Sequence, residues 1–315
     1  MDNIKRFELA VRNLTPKLTE VFMSLTAAEK DNIREIRIRT EKPVTVVCGN
    51  ETKFVSCSGK LTGIYSDLNY KTDEKEITDI FRRMCSYSVY SFTDAINKGY
   101  ITLSGGHRAG VAGTAVCEKG KITAVRDICC INLRIAREIK GAADEMYKKF
   151  FCGKPCSVII AGPPSSGKTT VLRDLARQLS GAERGRLLRT FVCDERGEIA
   201  AVVSGVPQND LGLNCDVITN YPKDEGIIIA LRSFSPDIII CDEVASDSEA
   251  YAVETGLNSG VDFVLSIHAK DERELKTKRI LRRLLASGAF EGVVLLSGEN
   301  AGEIKSIYGV GELLD

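Results

Sequence analysis

The stretch SVIIAGPPSSGKTTVLRDL, residues 157–175, restricts what this chain can fold into more than any other. A short apolar run leads into a loop bearing Gly and Pro, and the amphipathic VLRDLARQL follows. Between them Gly162, Pro163, Pro164, Ser165, Ser166, Gly167, Lys168 and Thr169, with Thr170 behind, match G-x-x-x-x-G-K-[ST] in the strand–loop–helix setting that pattern requires. Gly162 and Gly167 let the backbone turn tightly enough for its N–H groups to converge on phosphate oxygens. The helix that begins at the loop adds its positive dipole end. Lys168 brings a mobile cation to the β- and γ-phosphates, and the Thr169 hydroxyl suits Mg²⁺. The stretch predicts a site for ATP with Mg²⁺.

A phosphate loop binds without hydrolysing unless carboxylates hold the metal's water shell and polarise the attacking water. SPDIIICDEVASDSEA (235–250) puts Asp242 and Glu243 directly after an apolar strand. Acids at the carboxyl end of a parallel strand face the crevice that such a loop lines. Asp242 suits the Mg²⁺ shell beside Thr169, and Glu243 suits water activation. Acids also cap helices, but a phosphate loop roughly 75 residues upstream favours the catalytic reading. CDERGE (193–198) follows another strand. There Glu195 and Glu198 are candidates to position water or touch the metal, with Arg196 between them, and a solvated turn is the alternative. In LSIHAKD (265–271), Ser266 or His268 can sense a γ-phosphate by hydrogen bonding; a structural histidine is the alternative.

Around this core the chain alternates strand and helix from residue 157 onward: SVIIAG, a helix after Gly167, LLRTFVC, a helix before Asp237, DIIIC, a helix over 247–258, and FVLSIH. Such alternation predicts an α/β fold with a mostly parallel sheet covered on both faces. The first half reads differently. One helical pattern runs over 16–36, EIRIR and PVTVVC flank a turn at Glu41–Pro43, and EKEITDIFRRMCSYSVY (74–90) is a helix followed by a shorter one. YITLSGGHRAGVAGTAVC reads as two short strands around Gly105–Gly106, and ICCINLRIA as another. We expect a smaller α+β domain over 1–142 and a phosphate-loop ATPase domain over 143–315.

Bulk properties narrow the partners. The 315 residues carry 43 Lys+Arg against 43 Asp+Glu, so no global attraction to nucleic acid or anionic lipid is indicated. The N-terminus MDNIKRFELAVRNL lacks the uninterrupted apolar core of a signal peptide, and the apolar runs fall short of the roughly 20 residues that span a bilayer. The expectation is a soluble cytoplasmic protein without an integral membrane segment. Eleven cysteines, an odd number in a cytosolic setting, read as reduced and structural. Cys152 and Cys156 have no second pair to complete a zinc site.

Taken together, LRSFSPDIIICDEVASDSEAYAVETGLNSGVDFVLSIHA and CDERGE resemble the secretion ATPases of type II and type IV systems, a branch of the RecA-type fold. The resemblance implies a phosphate-sensing role for His268 and Arg232. It also favours Glu243 over Asp242 as the catalytic acid, since that class commonly has Gly where this chain has Asp242. GYITLSGGHRAGVAGTAV, INLRIAREIKG, GVPQND, YPKDEG and LRSFSPDIIICDE are similar to the sporulation stage III AA family of endospore-forming bacteria, over residues 35–268. That family implies a cytoplasmic ATPase, peripheral at the mother-cell side of the forespore membrane, energising a trans-envelope channel with membrane proteins of the same operon. The secretion class implies a homo-hexamer. Ring ATPases complete each site with cations from a neighbouring domain or subunit. Arg108, Arg134 and Arg137 are the candidates, with a solvated strand face as the alternative.

Three readings compete: a Mg²⁺-dependent ATPase driving a membrane channel, a nucleic-acid-dependent motor on a similar core, and a nucleotide-gated scaffold that hardly turns over. Balanced charge, absent Trp and sparse aromatics disfavour the second, since strand-tracking grooves need a cationic channel and stacking platforms. The acidic clusters disfavour the third.

Overall fold

A computed structural model describes residues 3–181, 187–300 and 302–314. The chain divides into two compact units, Met1–Glu138 and Ile139–Asp315.

The first unit opens with helices α1 (Asn3–Val11), α2 (Pro16–Met23) and α3 (Ala27–Asn32). Strands β1 (Ile33–Arg39), β2 (Lys42–Pro43), β3 (Thr45–Cys48), β4 (Glu51–Val55), β5 (Leu61–Thr62) and β6 (Lys71–Thr72) follow. After α4 (Glu74–Met84), a 3₁₀ turn at Val89–Phe92 and α5 (Thr93–Asn97), the unit closes with β7 (Tyr100–Leu103), β8 (His107–Glu118) and β9 (Lys121–Arg134). Seven of these strands form one antiparallel sheet in the order β5-β4-β3-β1-β9-β8-β7. The single helix expected over 16–36 is instead two helices and a strand. Thr26 and Glu29 build a capping box that starts α3 afresh, and β-branched Ile33 begins β1. The helix expected over 74–90 stops at Met84 because Ser86 and Tyr87 take left-handed backbone angles, φ 48° and 59°. The strands around Gly105–Gly106 are unequal, since β8 continues through Glu118 as a long exposed hairpin with β9.

The second unit runs α6 (Asp144–Phe150), β10 (Ser157–Gly162), α7 (Lys168–Ser180), β11 (Thr190–Asp194), β12 (Cys215–Thr219), α8 (Lys223–Ser233), β13 (Ile238–Cys241) and α9 (Asp247–Asn258). It ends with β14 (Asp262–His268), α10 (Glu272–Thr277), α11 (Arg279–Leu285), β15 (Phe290–Leu296), β16 (Ile304–Tyr308) and α12 (Val310–Leu314). The sheet order is β12-β11-β13-β14-β10-β15-β16, and every pairing is parallel except β15 with β16. β10 is buried along its whole length. Val158 and Ile160 enter one apolar core, while Ile159 and Ala161 enter the other. This is why SVIIA reads as a continuous apolar run rather than an alternating one. The register sets Gly162 beside His268 and Cys193 beside Cys241, so the carboxyl ends of β10, β14, β11 and β13 open on the same edge. All eleven cysteines are free thiols.

Candidate active site

The loop after β10 is shaped for a close approach. Ser165 and Gly167 take φ of 64° and 90°. Gly162 has no room for a side chain, since a Cβ there would come within 2.4 Å of Ser166 Oγ. That buried hydroxyl has no hydrogen-bond partner among the described residues. The first turn of α7 leaves its N–H groups without intrahelical acceptors, and no side chain caps it. Lys168, only 5 % exposed, donates from Nζ to the carbonyls of Gly162 at 2.9 Å and Pro163 at 2.8 Å, and meets Nδ1 of His268 at 3.2 Å. Burial holds its pKa below the usual lysine value against the opposing pull of Asp242 and Glu243.

Across the edge, Thr169 Oγ1 donates to Asp242 Oδ2 at 2.6 Å. The other Asp242 oxygen accepts from the Ser266 hydroxyl. Ser266 Oγ in turn accepts the Glu243 N–H at 2.9 Å, and Val244 N–H donates to the Ser266 carbonyl at 3.0 Å. Thus β14 fixes the peptide that follows β13. Glu243 itself sits at φ 52°, a left-handed angle that side chains other than Gly and Asn rarely adopt. Its carboxylate meets His268 Nε2 at 2.7 Å and Arg196 Nη1 at 2.5 Å. An ammonium can only donate, so Nδ1 of His268 accepts from Lys168 and Nε2 carries the proton given to Glu243.

The CDERGE turn is organised by a residue that the sequence reading passed over. Asp194, 2 % exposed, accepts the N–H groups of Glu198 at 2.8 Å, Ile199 at 3.2 Å and Ala200 at 2.8 Å. Burial raises its pKa against these three donors. Arg173 of α7 clamps the same turn through the carbonyls of Ile199 at 2.9 Å and Glu198 at 2.6 Å. Glu198 thus serves the turn through its backbone. Glu195 lies 3.5 Å from the Lys223 ammonium, and Arg196 reaches Glu243. Lys223 was also missed: the quoted YPKDEG gives no sign that its lysine is buried.

Lys168, Thr169, Asp242, Glu243, Ser266 and His268 therefore form one connected cluster. Arg232 does not join it, because it stands nine residues, about 14 Å, along α8 from Lys223. It lines a surface groove of about 400 Å³ with Ile228, Ile229 and Tyr251. In the first unit, Arg137 donates to the carbonyls of Asp31 and Ile33, Arg108 lies 4.0 Å over the Tyr100 ring, and the Arg134 side chain is 66 % exposed beside Glu35. Among the described residues no cluster of three or more His, Cys, Asp or Glu could cage a metal. One hydroxyl and one carboxylate at the loop suit Mg²⁺, which keeps waters and takes its remaining ligands from phosphates.

The model of the family described as "Sporulation stage III, protein AA" matches residues 5–312. Stage III sporulation protein AA of Bacillus subtilis (strain 168) is 34 % identical over 278 residues, spanning 88 % of this chain and 86 % of that protein. The solved structure of the pilus retraction motor PilT with bound ADP is similar at a TM-score of 0.55 and 14 % identity, over 90 % of this chain and 77 % of that one. The ATPase DotB of Yersinia pseudotuberculosis is similar at 0.50 and 16 %, over 84 % and 70 %. At those identities the likeness shows an α/β fold resembling secretion ATPases. No helix among the described residues is long and apolar enough to cross a membrane.

Proposed function

This chain belongs to the sporulation stage III protein AA family, and from that premise we propose that it is a Mg²⁺-dependent ATPase of the type II/IV secretion class. The observation that carries this reading is the unbroken run of contacts from Lys168 through His268 to Glu243, beside the Thr169–Asp242 pair. The Lys168 ammonium, now held by two loop carbonyls, turns to the β- and γ-phosphate oxygens of ATP. Thr169 and Asp242 are the residues that would hold Mg²⁺. When bound, that ion neutralises charge on the phosphates. Glu243 takes the proton of the attacking water once Arg196 releases it, and His268 relays the state of the phosphate to Glu243. Ser266 keeps both acids in place.

Conformational work from this cycle energises a trans-envelope sporulation channel. The protein acts as a homo-hexamer, cytoplasmic and held at the membrane by protein partners rather than by lipid. An arginine of the first unit, Arg134 or Arg108, completes the site of a neighbouring subunit, whereas Arg137 is committed to backbone carbonyls. Phosphate release from ATP by the purified protein tests the class. Three conditions matter: the protein alone, with single-stranded DNA, and with the membrane proteins of the channel. We expect Mg²⁺-dependent release that DNA leaves unchanged and the membrane proteins raise. Stimulation by DNA alone would make it a nucleic-acid motor, and silence in all three would leave a scaffold.

A further inference from the structure

Lys223 opens α8 and is 6 % exposed, yet its ammonium faces oxygens from three separate elements. Nζ donates to the Glu243 carbonyl at 2.8 Å and to Glu249 Oε1 at 3.2 Å, and lies 3.5 Å from Glu195 Oε2. A buried ammonium is tolerated only where its donors and its charge are met; here two hydrogen bonds and a third oxygen at ion-pair distance do so. The Glu249 partnership would suffice for a purely structural lysine. The bond to Glu243 is different, because it falls on a strained backbone.

The two peptides flanking Glu243 Cα are gripped from opposite sides. Ser266 takes its N–H and Lys223 takes its carbonyl, and between these anchors φ is 52°. Left-handed conformations of this kind persist where surrounding groups over-determine them. With φ so held, the Glu243 carboxylate meets His268 and Arg196. Glu249 does not need Lys223 to stay in place, since its other oxygen accepts the N–H groups of Ala245 at 2.7 Å and Ser246 at 2.8 Å.

We infer that Lys223 is a positioning residue for Glu243: it holds the carbonyl of that residue so that the carboxylate stays aimed for hydrolysis, and it ties this elbow to Glu195 of the acidic turn. The hydrolytic part rests on the ATPase reading above. The hold on the backbone does not.

The test compares Lys223→Met and Lys223→Arg with the wild-type chain. Nucleotide affinity, kcat and KM, and hydrogen exchange at residues 241–249 and 162–169 are measured for each. We expect Lys223→Met to keep affinity and KM within about threefold while kcat falls by about 10²-fold, the scale on which small misplacements act. Exchange at 241–249 should quicken while that at 162–169 stays unchanged, and Lys223→Arg should regain part of the rate. A folded Lys223→Met variant with wild-type kcat and unchanged exchange at 241–249 overturns the inference. So does an equal loss of affinity and rate. If the wild-type chain hydrolyses nothing, the ATPase reading fails, and exchange at 241–249 still decides whether Lys223 holds Glu243. Should Lys223→Met not fold, Lys223→Arg and Lys223→Gln carry the same comparison.

Discussion

The imidazole of His268 touches Glu243 with one nitrogen, at 2.7 Å, and faces the Lys168 ammonium with the other, at 3.2 Å. The lysine of the glycine-rich loop and the acid proposed to activate water are thus joined through a single ring. Removing the ring should leave binding intact and disturb chemistry. We expect His268→Ala to bind ATP with near wild-type affinity and to lose kcat by about 10- to 100-fold. Titration of nucleotide affinity alongside phosphate release checks this; a loss of affinity with unchanged kcat contradicts it.

The acidic turn should separate into a structural acid and ancillary ones. Asp194 satisfies three N–H groups, two of them buried, and an amide in its place presents its own donors to at least one of them. Asp194→Asn should cost about 2–3 kcal/mol of stability, with Glu195→Gln and Glu198→Gln each below about 1 kcal/mol. Denaturant unfolding of the three variants measures the order. Equal losses would dismiss Asp194 as the anchor of the turn.

His107 gives the first unit a pH dependence. The ring is fully buried, its Nδ1 accepts the Ala136 N–H at 3.0 Å, and burial pushes its pKa down to about 4 with help from the Arg6 charge. The folded value lies below the unfolded value near 6.5. The unfolded chain therefore binds the proton first as pH falls. This contribution is complete above about pH 6.5 and is lost progressively toward pH 4. At pH 5 the loss is about 2 kcal/mol. Asn keeps an acceptor for Ala136 without the titration, so His107→Asn should lose about 2 kcal/mol less stability between pH 7.5 and pH 5. Identical losses in both proteins would contradict the assignment.

The second unit was legible because its signals are local. SVIIAG, DIIIC and FVLSIH are strands buried on both faces, and the loop motif needs only its own eight residues and their flanks. Asp242, Glu243 and His268 could be read as candidates because each ends or directly follows such a strand. Asp194 ends one too, but the eye is drawn to the two glutamates after it, and its role appears only once the backbone of 198–200 folds over it. Lys223 was invisible for a related reason: its partners lie 20 and 26 residues downstream and 28 upstream. β12, β15 and β16 went unread, being short or closed by a late antiparallel pairing. In the first half, apolar spacing at 16–36 suits a helix throughout, and only the cap at Thr26 marks the break.

A shared site makes a prediction about mixtures. If Arg134 acts on a neighbouring subunit, ATP hydrolysis per subunit rises with protein concentration. Lys168→Ala and Arg134→Ala, each inactive alone, should recover part of the activity when mixed, since some interfaces pair an intact loop with an intact arginine. Full activity in a monomer, with no rescue on mixing, would return Arg134 to the solvated face of its strand.

The most direct test of the central claim is steady-state phosphate release from Mg²⁺·ATP by the wild-type chain, Lys168→Ala and Glu243→Gln, with bound ATP measured in the same samples. The wild-type chain should hydrolyse ATP only with Mg²⁺. Lys168→Ala should neither bind nor hydrolyse, and Glu243→Gln should bind ATP while turning over about 10²- to 10⁴-fold more slowly. Nucleotide affinity unchanged in a folded Lys168→Ala, or wild-type turnover in Glu243→Gln, would contradict it.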